Sequence, residues 1–192
     1  MNEKMKKALQ GMLRPDETVL WESGTRPFRI LDGREGRQTL LQWIFGTACV
    51  GALLAVYVAH GGKGLGFFAV LLVLLGIFVL APLLQYRQTS GQRYFITNDR
   101  ALVIQRGGSA YTMELADMDA CRLYPLDFGG EAIALGSVLL EEQDRQLRWR
   151  ASHPKENAEA QSTNEARGLV FYNVERAEAA MRLLRDDTAK EV

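Results

Sequence analysis

Two stretches without a single Asp, Glu, Lys or Arg constrain this chain more than anything else in it. They run from Thr39 to Gly62 and from Gly64 to Tyr86, and every charged residue lies before Thr39, at Lys63, or after Tyr86. Within them, Leu40–Ala59 and Leu65–Leu84 are each twenty residues, a length that rises about 30 Å as a helix and matches a bilayer's hydrocarbon core. Fifteen residues of the second run are Leu, Ile, Val or Phe, so it inserts favourably by itself. The first is diluted by Gln42, Thr47 and small residues and inserts as its partner. Two buried helices of a soluble protein would need every face covered, which a chain of 192 residues can hardly supply. The reading is two membrane spans.

Only five residues, His60 to Gly64, join the spans, which predicts a tight antiparallel hairpin. Trp43, Tyr57 and Tyr86 sit near span ends, as interfacial aromatics do. Pro82 is expected in the last turn of the second span. Thr47, Gly51 and Ala55 recur every four residues on one helical face, a small-residue stripe that lets backbones approach closely. The stripe is read as packing against the second helix, with a seam between two copies of the chain as the alternative, so a homo-oligomer is an open expectation.

Arg26, Arg29, Arg34 and Arg37 precede the first span, and Arg87, Arg93 and Arg100 follow the second, against Lys63 alone in the loop. The positive-inside rule then places both termini in the cytoplasm, and no cleavable leader is expected near Met1. Cys49 and Cys121 make no disulfide framework, and with His60 and His153 they give no metal-site spacing. The 23 basic and 23 acidic residues balance, which argues against a nucleic-acid binder working through bulk charge. No cofactor is expected.

The amino-terminal segment Met1–Leu13 places Met5, Leu9 and Met12 on one face and Lys4, Lys6 and Lys7 mainly elsewhere. That pattern fits a helix packed on its own domain or a frayed terminus, and alternatively an arm lying on an anionic leaflet. Thr18–Trp21 reads as extended. Past Tyr86 the period becomes that of strands: residues 94–97, 101–105, 110–115, 120–124, 132–141, 145–150 and 169–172. Leu147 and Trp149 are expected on one face of the sixth strand, with Arg148 and Arg150 on the other. A loop is expected over 151–167. Asn173 is expected to cap a final helix whose stripe is Val174, Ala177, Met181 and Leu184. Seven short strands and one helix suggest a small barrel or sandwich.

Here the chain resembles bacterial membrane-anchored proteins with a pleckstrin-homology-like (PH-like) domain. Arg93–Ile104 (RYFITNDRALVI) is similar to their Tyr-x-x-Thr-Asn-x-Arg hairpin, Gly168–Met181 to their last strand and helix, and Leu13–Glu22 to their leader. The resemblance implies a two-span hairpin set between a leader and a cytoplasmic α+β PH-like domain, built as a seven-stranded barrel with one carboxyl-terminal helix. The expected divisions are residues 1–38 (arm and leader), 39–86 (hairpin) and 87–192 (PH-like domain). Thr97, Asn98 and Arg100 are read as turn residues rather than ligand groups, because turn chemistry accounts for them.

No phosphate loop, nucleophile elbow or zinc-protease motif is present in the sequence. The expected function is therefore non-enzymatic: an inner-membrane protein that contacts lipid through its hairpin and presents a domain for a protein partner or for assembly of a membrane complex. The alternative is an anionic-lipid surface sensor using Arg87, Arg93, Arg148 and Arg150. A third reading, an enzyme or transporter of unrecognised type, rests on Cys121 with His153.

Overall fold

A computed structural model describes residues 3–62, 64–136, 147–154, 166 and 168–188, with the side chains of 186–188 left aside. The chain divides into two units, Phe28–Tyr86 and a second made of Met1–Pro27 together with Arg87–Val192.

In the first unit, helices α2 (Gly33–Ala59) and α3 (Leu65–Thr89) extend the expected spans, α2 at its start and α3 at its end. Both are long and apolar enough to cross a membrane, and only 6 % of an 18-residue apolar stretch of each is buried within the chain. Core helices of a soluble protein would bury that surface. Instead Leu41, Phe45, Leu65, Leu72 and Val73 are more than 60 % exposed, an apolar area far beyond what water-soluble monomers leave bare.

The two helices meet through Trp43, Gly46 and Tyr57, not through the expected stripe. A Cβ on Gly46 would touch the Phe78 ring at 3.4 Å, whereas one on Gly51 would meet nothing within 4 Å. Thr47, Gly51 and Ala55 are all exposed. The packing reading of that stripe is thus corrected. A single helix's pattern reveals a small-residue face without saying whether the hairpin partner lies against it. At the loop end, the Tyr57 ring stacks on Phe67 at 4.0 Å and meets Phe68 edge-on at 5.7 Å. The Tyr57 hydroxyl accepts a hydrogen bond from the Gly64 N–H at 2.7 Å. Gly62 lies so close that a Cβ there would sit 2.4 Å from the ring. Lys63 lies outside the described residues.

Pro82 is inside α3 rather than in its last turn, because the helix continues to Thr89. Proline has no N–H, so the carbonyl four residues earlier, that of Phe78, has no helical donor. Trp43 Nε1 donates to that carbonyl at 3.2 Å. One residue of α2 therefore satisfies the group that Pro82 orphans in α3, where unpaired backbone polar groups are costly in hydrocarbon.

Among its described residues the second unit holds seven strands in two antiparallel sheets. β1 (Val19–Gly24), β2 (Arg93–Thr97), β3 (Arg100–Ile104) and β4 (Ala110–Glu114) form the first in sequential order. β5 (Cys121–Pro125), β6 (Glu131–Gly136) and β7 (Gly168–Phe171) form the second. A short helix α4 (Leu147–Ser152) precedes β7, and α5 (Ala177–Thr188) follows it. β1 is antiparallel to β2, with Gly24 opposite Arg93 and Glu22 opposite Phe95. The leader thus adds an edge strand to the sheet, a pairing that its sequence leaves open, and the whole two-helix hairpin is an insertion between two neighbouring strands.

The expected barrel does not close. The sheets touch through a Thr25–Val174 bridge and a bond from the Ala166 N–H to the Thr112 carbonyl at 2.8 Å. Between them lies the main core, with Trp21, Tyr94, Ile96, Val103, Met113, Ile133, Leu135, Leu169 and Phe171 buried. The expected α5 stripe joins it, since Val174, Ala177, Met181 and Leu184 are all buried. Asn173 does not cap α5, which begins at Ala177. It takes a left-handed φ of 50°, and its side chain donates to the Arg26 carbonyl at 3.0 Å. On the outer face of the first sheet, α1 (Glu3–Met12) inserts Met5 against Phe95, Leu102, Ile104 and Ala110. The apolar face of α1 is therefore used inside the domain, which selects the packed reading of the basic arm over the leaflet one.

The expected sixth strand is a helix over its described part. Leu147, Arg148, Ala151 and Ser152 are buried while Trp149 is exposed, a helical rather than alternating pattern. Six residues are too few to separate the two periods. Residues 137–141 of the expected fifth strand, 145–146 of the expected sixth, and 155–165 and 167 of the expected loop lie outside the described residues, while Ala151 and Ser152, expected in the loop, complete the last turn of α4.

Candidate functional site

The Tyr-x-x-Thr-Asn-x-Arg segment forms two buried polar knots. In the first, Tyr94 is fully buried, and its hydroxyl lies 2.9 Å from Thr25 Oγ1 and 3.0 Å from both Gln92 Oε1 and the Tyr172 carbonyl. It also accepts from the Tyr172 N–H at 3.1 Å. Burial pushes this phenol far above its usual range, outweighing its hydrogen bonds from Thr25 and Tyr172. Tyr94 thus ties β2 to β7 and to the chain leaving β1.

The second knot sits at the other end of β2. Thr97 Oγ1 donates to Glu17 Oε1 at 2.7 Å and accepts from the Arg100 N–H at 2.9 Å. Arg100 makes a two-pronged contact with the Glu17 carboxylate through Nε and Nη2, and Nη2 also donates to the Met12 carbonyl at the end of α1 at 2.8 Å. Burial alone would raise the Glu17 pKa, but hydrogen bonds from Arg100, the Arg14 N–H and Thr97, with the Arg100 charge, hold it down at about 2. The Glu17 hydrogen bond, opposed by burial, raises Arg100 in turn. Asn98 pairs with Thr18 by accepting from its N–H at 2.8 Å and donating its own N–H to its carbonyl at 3.2 Å. Neither Asn98 nor Asp99 needs a positive φ. Thr97, Asn98 and Arg100 are therefore anchor points for the leader as well as turn residues. The sequence pattern reveals the turn but not its partner.

The reactive-looking pair does not work as a unit in the described contacts. The Cys121 thiol lies 3.2 Å from Met181 Sδ, and burial, slightly countered by Arg185, pushes it up to about 11. His153 Nδ1 instead faces Ser152 Oγ at 2.8 Å and the Trp149 carbonyl at 3.0 Å. Among the described residues no three His, Cys, Asp or Glu side chains converge as metal ligands.

The four arginines proposed for lipid contact separate. Arg148 is buried at 3 % exposure, which removes it from any surface, because α4 turns inward the side that a strand would have left outside. Arg87 is exposed, and Arg93 and Arg150 are half-buried. Arg93 and Arg150 stand at one rim of the second unit, the rim from which the chain leaves for the spans. Gly24 and Arg93 mark it on β1 and β2, and Gln92 Nε2 donates to the Ala151 carbonyl there at 2.6 Å. The opposite rim, at residues 14–18, 97–100 and 114–117, carries Asp16, Glu17, Asp99, Glu114 and Asp117 against Arg14 and Arg100. Arg14 pairs with Glu114 at 2.6 Å and Arg100 with Glu17. That acidic rim was not legible beforehand, since its residues come together only through strand pairing. Comparisons with protein-family models, curated proteins and solved structures returned no match.

Proposed function

We propose that this chain is a non-enzymatic membrane protein whose two-span hairpin holds a PH-like domain at the cytoplasmic face of a bacterial inner membrane, where the domain binds a protein partner and helps a membrane complex assemble. The observation that carries this reading is the insertion of the hairpin between β1 and β2. Strands that pair in one sheet lie on one side of a bilayer, so a hairpin set between them must cross an even number of times. The arginines before α2 and after α3 favour the cytoplasmic side. Six described strands in 93–171 and a terminal helix support the PH-like reading, with the seventh strand coming from the leader, α4 standing where a sixth domain strand is expected, and no closed barrel. The separate local contacts of the two reactive side chains support a non-enzymatic reading: Cys121 lies against Met181, and His153 shares a hydrogen bond with Ser152. The acidic rim, away from the chain's exits to the spans, is the surface assigned to the partner.

In-membrane crosslinking tests this. A photo-reactive residue at Asp117 in the full chain is expected to give a discrete adduct with one protein, lost when Asp99 is changed to Lys. No discrete adduct, or the same adduct undiminished by the change at Asp99, would contradict it.

A further inference from the structure

The rim from which the chain leaves for the spans carries a group of side chains that the protein-binding reading does not use. β2 starts there with Arg93, β3 ends there at Ile104, and the turn after β3 brings Arg106 over Gly91, where a Cβ would lie 3.1 Å from the arginine's side chain. α4 is fastened to the same place by the Gln92 bond to Ala151 and by Gln105 Nε2 donating to the Ser152 carbonyl at 3.3 Å. It presents Trp149, 37 % exposed, with its ring stacked on His153 at 4.9 Å and the Arg150 guanidinium 5.9 Å from its centroid. Lys4 of α1 lies beside Gly108 in the same turn. Glu22 approaches Arg93 at 3.8 Å and offsets part of this charge.

Connectivity sets how far this group lies from the hydrocarbon. The charge-free run ends at Tyr86 and α3 at Thr89, a helical rise of about 4.5 Å. Gly91 is two residues further, at most about 7 Å more. Gly91 thus lies at most about 12 Å from the end of the charge-free run, against a headgroup layer about 5–7 Å deep, and the remaining gap of about 5 Å is within the reach of a long arginine side chain. An exposed indole with cations beside it is the composition that settles at such a level.

We propose that the rim formed by Arg93, Arg106 and Arg150, with Trp149 as its apolar anchor, docks on the headgroups of an anionic leaflet. The partner is the lipid surface itself. Docking fixes the domain over the bilayer and leaves the acidic rim turned away from it. The inference stands with or without a protein partner.

The test uses the full chain in nanodiscs of phosphatidylcholine alone or mixed equally with phosphatidylglycerol, with bromine on the upper acyl chains as a quencher. Trp21→Phe and Trp43→Phe, the latter with Pro82→Ala to restore the α3 hydrogen bond, leave Trp149 as sole reporter. Quenching of Trp149 is expected in anionic discs at low salt, with loss in neutral discs or at high salt. Changing Arg93, Arg106 and Arg150 together to Gln is expected to lower the docked-to-undocked ratio on the order of 100-fold, from about fivefold per surface cation. In the unmodified chain, amide exchange over 105–109 and 149–153 is expected to slow in anionic discs alone, a readout that does not depend on the variants folding. Quenching and exchange indifferent to lipid charge, or unchanged in the triple variant, would overturn the proposal. Failure of the chain to enter discs at all would instead count against the spans.

Discussion

Removing the indole of Trp43 tests the account of the hairpin, because its Nε1 satisfies the Phe78 carbonyl that Pro82 leaves without a helical donor. Trp43→Phe keeps an aromatic ring but deletes the donor. Interhelical hydrogen bonds in membranes contribute about 0.6 kcal/mol on average and at most about 1.7. This bond belongs at the upper end, because its loss strands a backbone carbonyl in hydrocarbon. The expected cost of Trp43→Phe is about 1–2 kcal/mol. Pro82→Ala returns an N–H to Phe78 and makes the indole bond redundant, so the same change in that background should cost less than about 0.5 kcal/mol. The difference is the coupling energy of a double-mutant cycle. It is read by dodecyl sulfate titration of fluorescence transfer between labels at the lipid-exposed positions 45 and 80, in a chain with Cys49 and Cys121 changed to Ser. Equal costs of Trp43→Phe in both backgrounds would refute the reasoning, as would Pro82→Ala weakening the hairpin.

Three further outcomes are expected. Glu17 is held at about 2 from a usual 4.5, so its contribution is fully present above pH 4.5 and is lost as pH falls from there toward 2. Glu17→Gln should remove about 2–3 kcal/mol at pH 7, and the stability gap from the parent, followed by near-UV circular dichroism in detergent, should shrink between pH 5 and 3. A gap that stays constant with pH would contradict the ion-pair account. Joining Pro27 to Arg87 by a short Gly-rich linker should yield a folded domain without spans, since Gly24 and Arg93 are already opposite one another. A chain of Arg87–Val192 alone lacks Glu17 and Trp21 and should elute expanded on size exclusion, with weak near-UV signal. Cys121, pushed up to about 11, should react with iodoacetamide at pH 8 on the order of 100-fold more slowly than a free thiol. Labelling at the free-thiol rate in the folded protein would show the site open.

The two long apolar helices were legible because charge exclusion is a one-dimensional property: a segment that must avoid charge shows it without any partner. The strands of the first sheet were legible for the same reason, through local β-rich runs and the turn at Asn98–Asp99. What the local pattern lacked was partnership. Glu17 and Arg100 are 83 positions apart, with both spans between them, so the leader motif and the hairpin motif read as two features when they form one knot. Gly46 and Gly51 look alike in sequence, yet only Gly46 meets the second helix, a distinction set by how the hairpin closes. Residues 145–150 alternate well enough for a strand, and burial of Leu147 with Ala151 decides for a helix over 147–152. That choice turns Arg148 inward and leaves Arg150 and Trp149 outside, a rearrangement of the candidate surface that only tertiary packing settles.

The claim on which the rest depends is that the hairpin crosses the bilayer twice, so that β1 and β2 meet on the side opposite the loop. It is tested most directly by labelling intact cells with a membrane-impermeant maleimide. The labels attach to single cysteines at His60, in the exposed loop, and at Arg122, exposed on β5, with Cys49 and Cys121 changed to Ser. The account predicts that position 60 is labelled in intact cells and position 122 only after permeabilisation. Equal labelling of both positions in intact cells, or protection of both until permeabilisation, would contradict it.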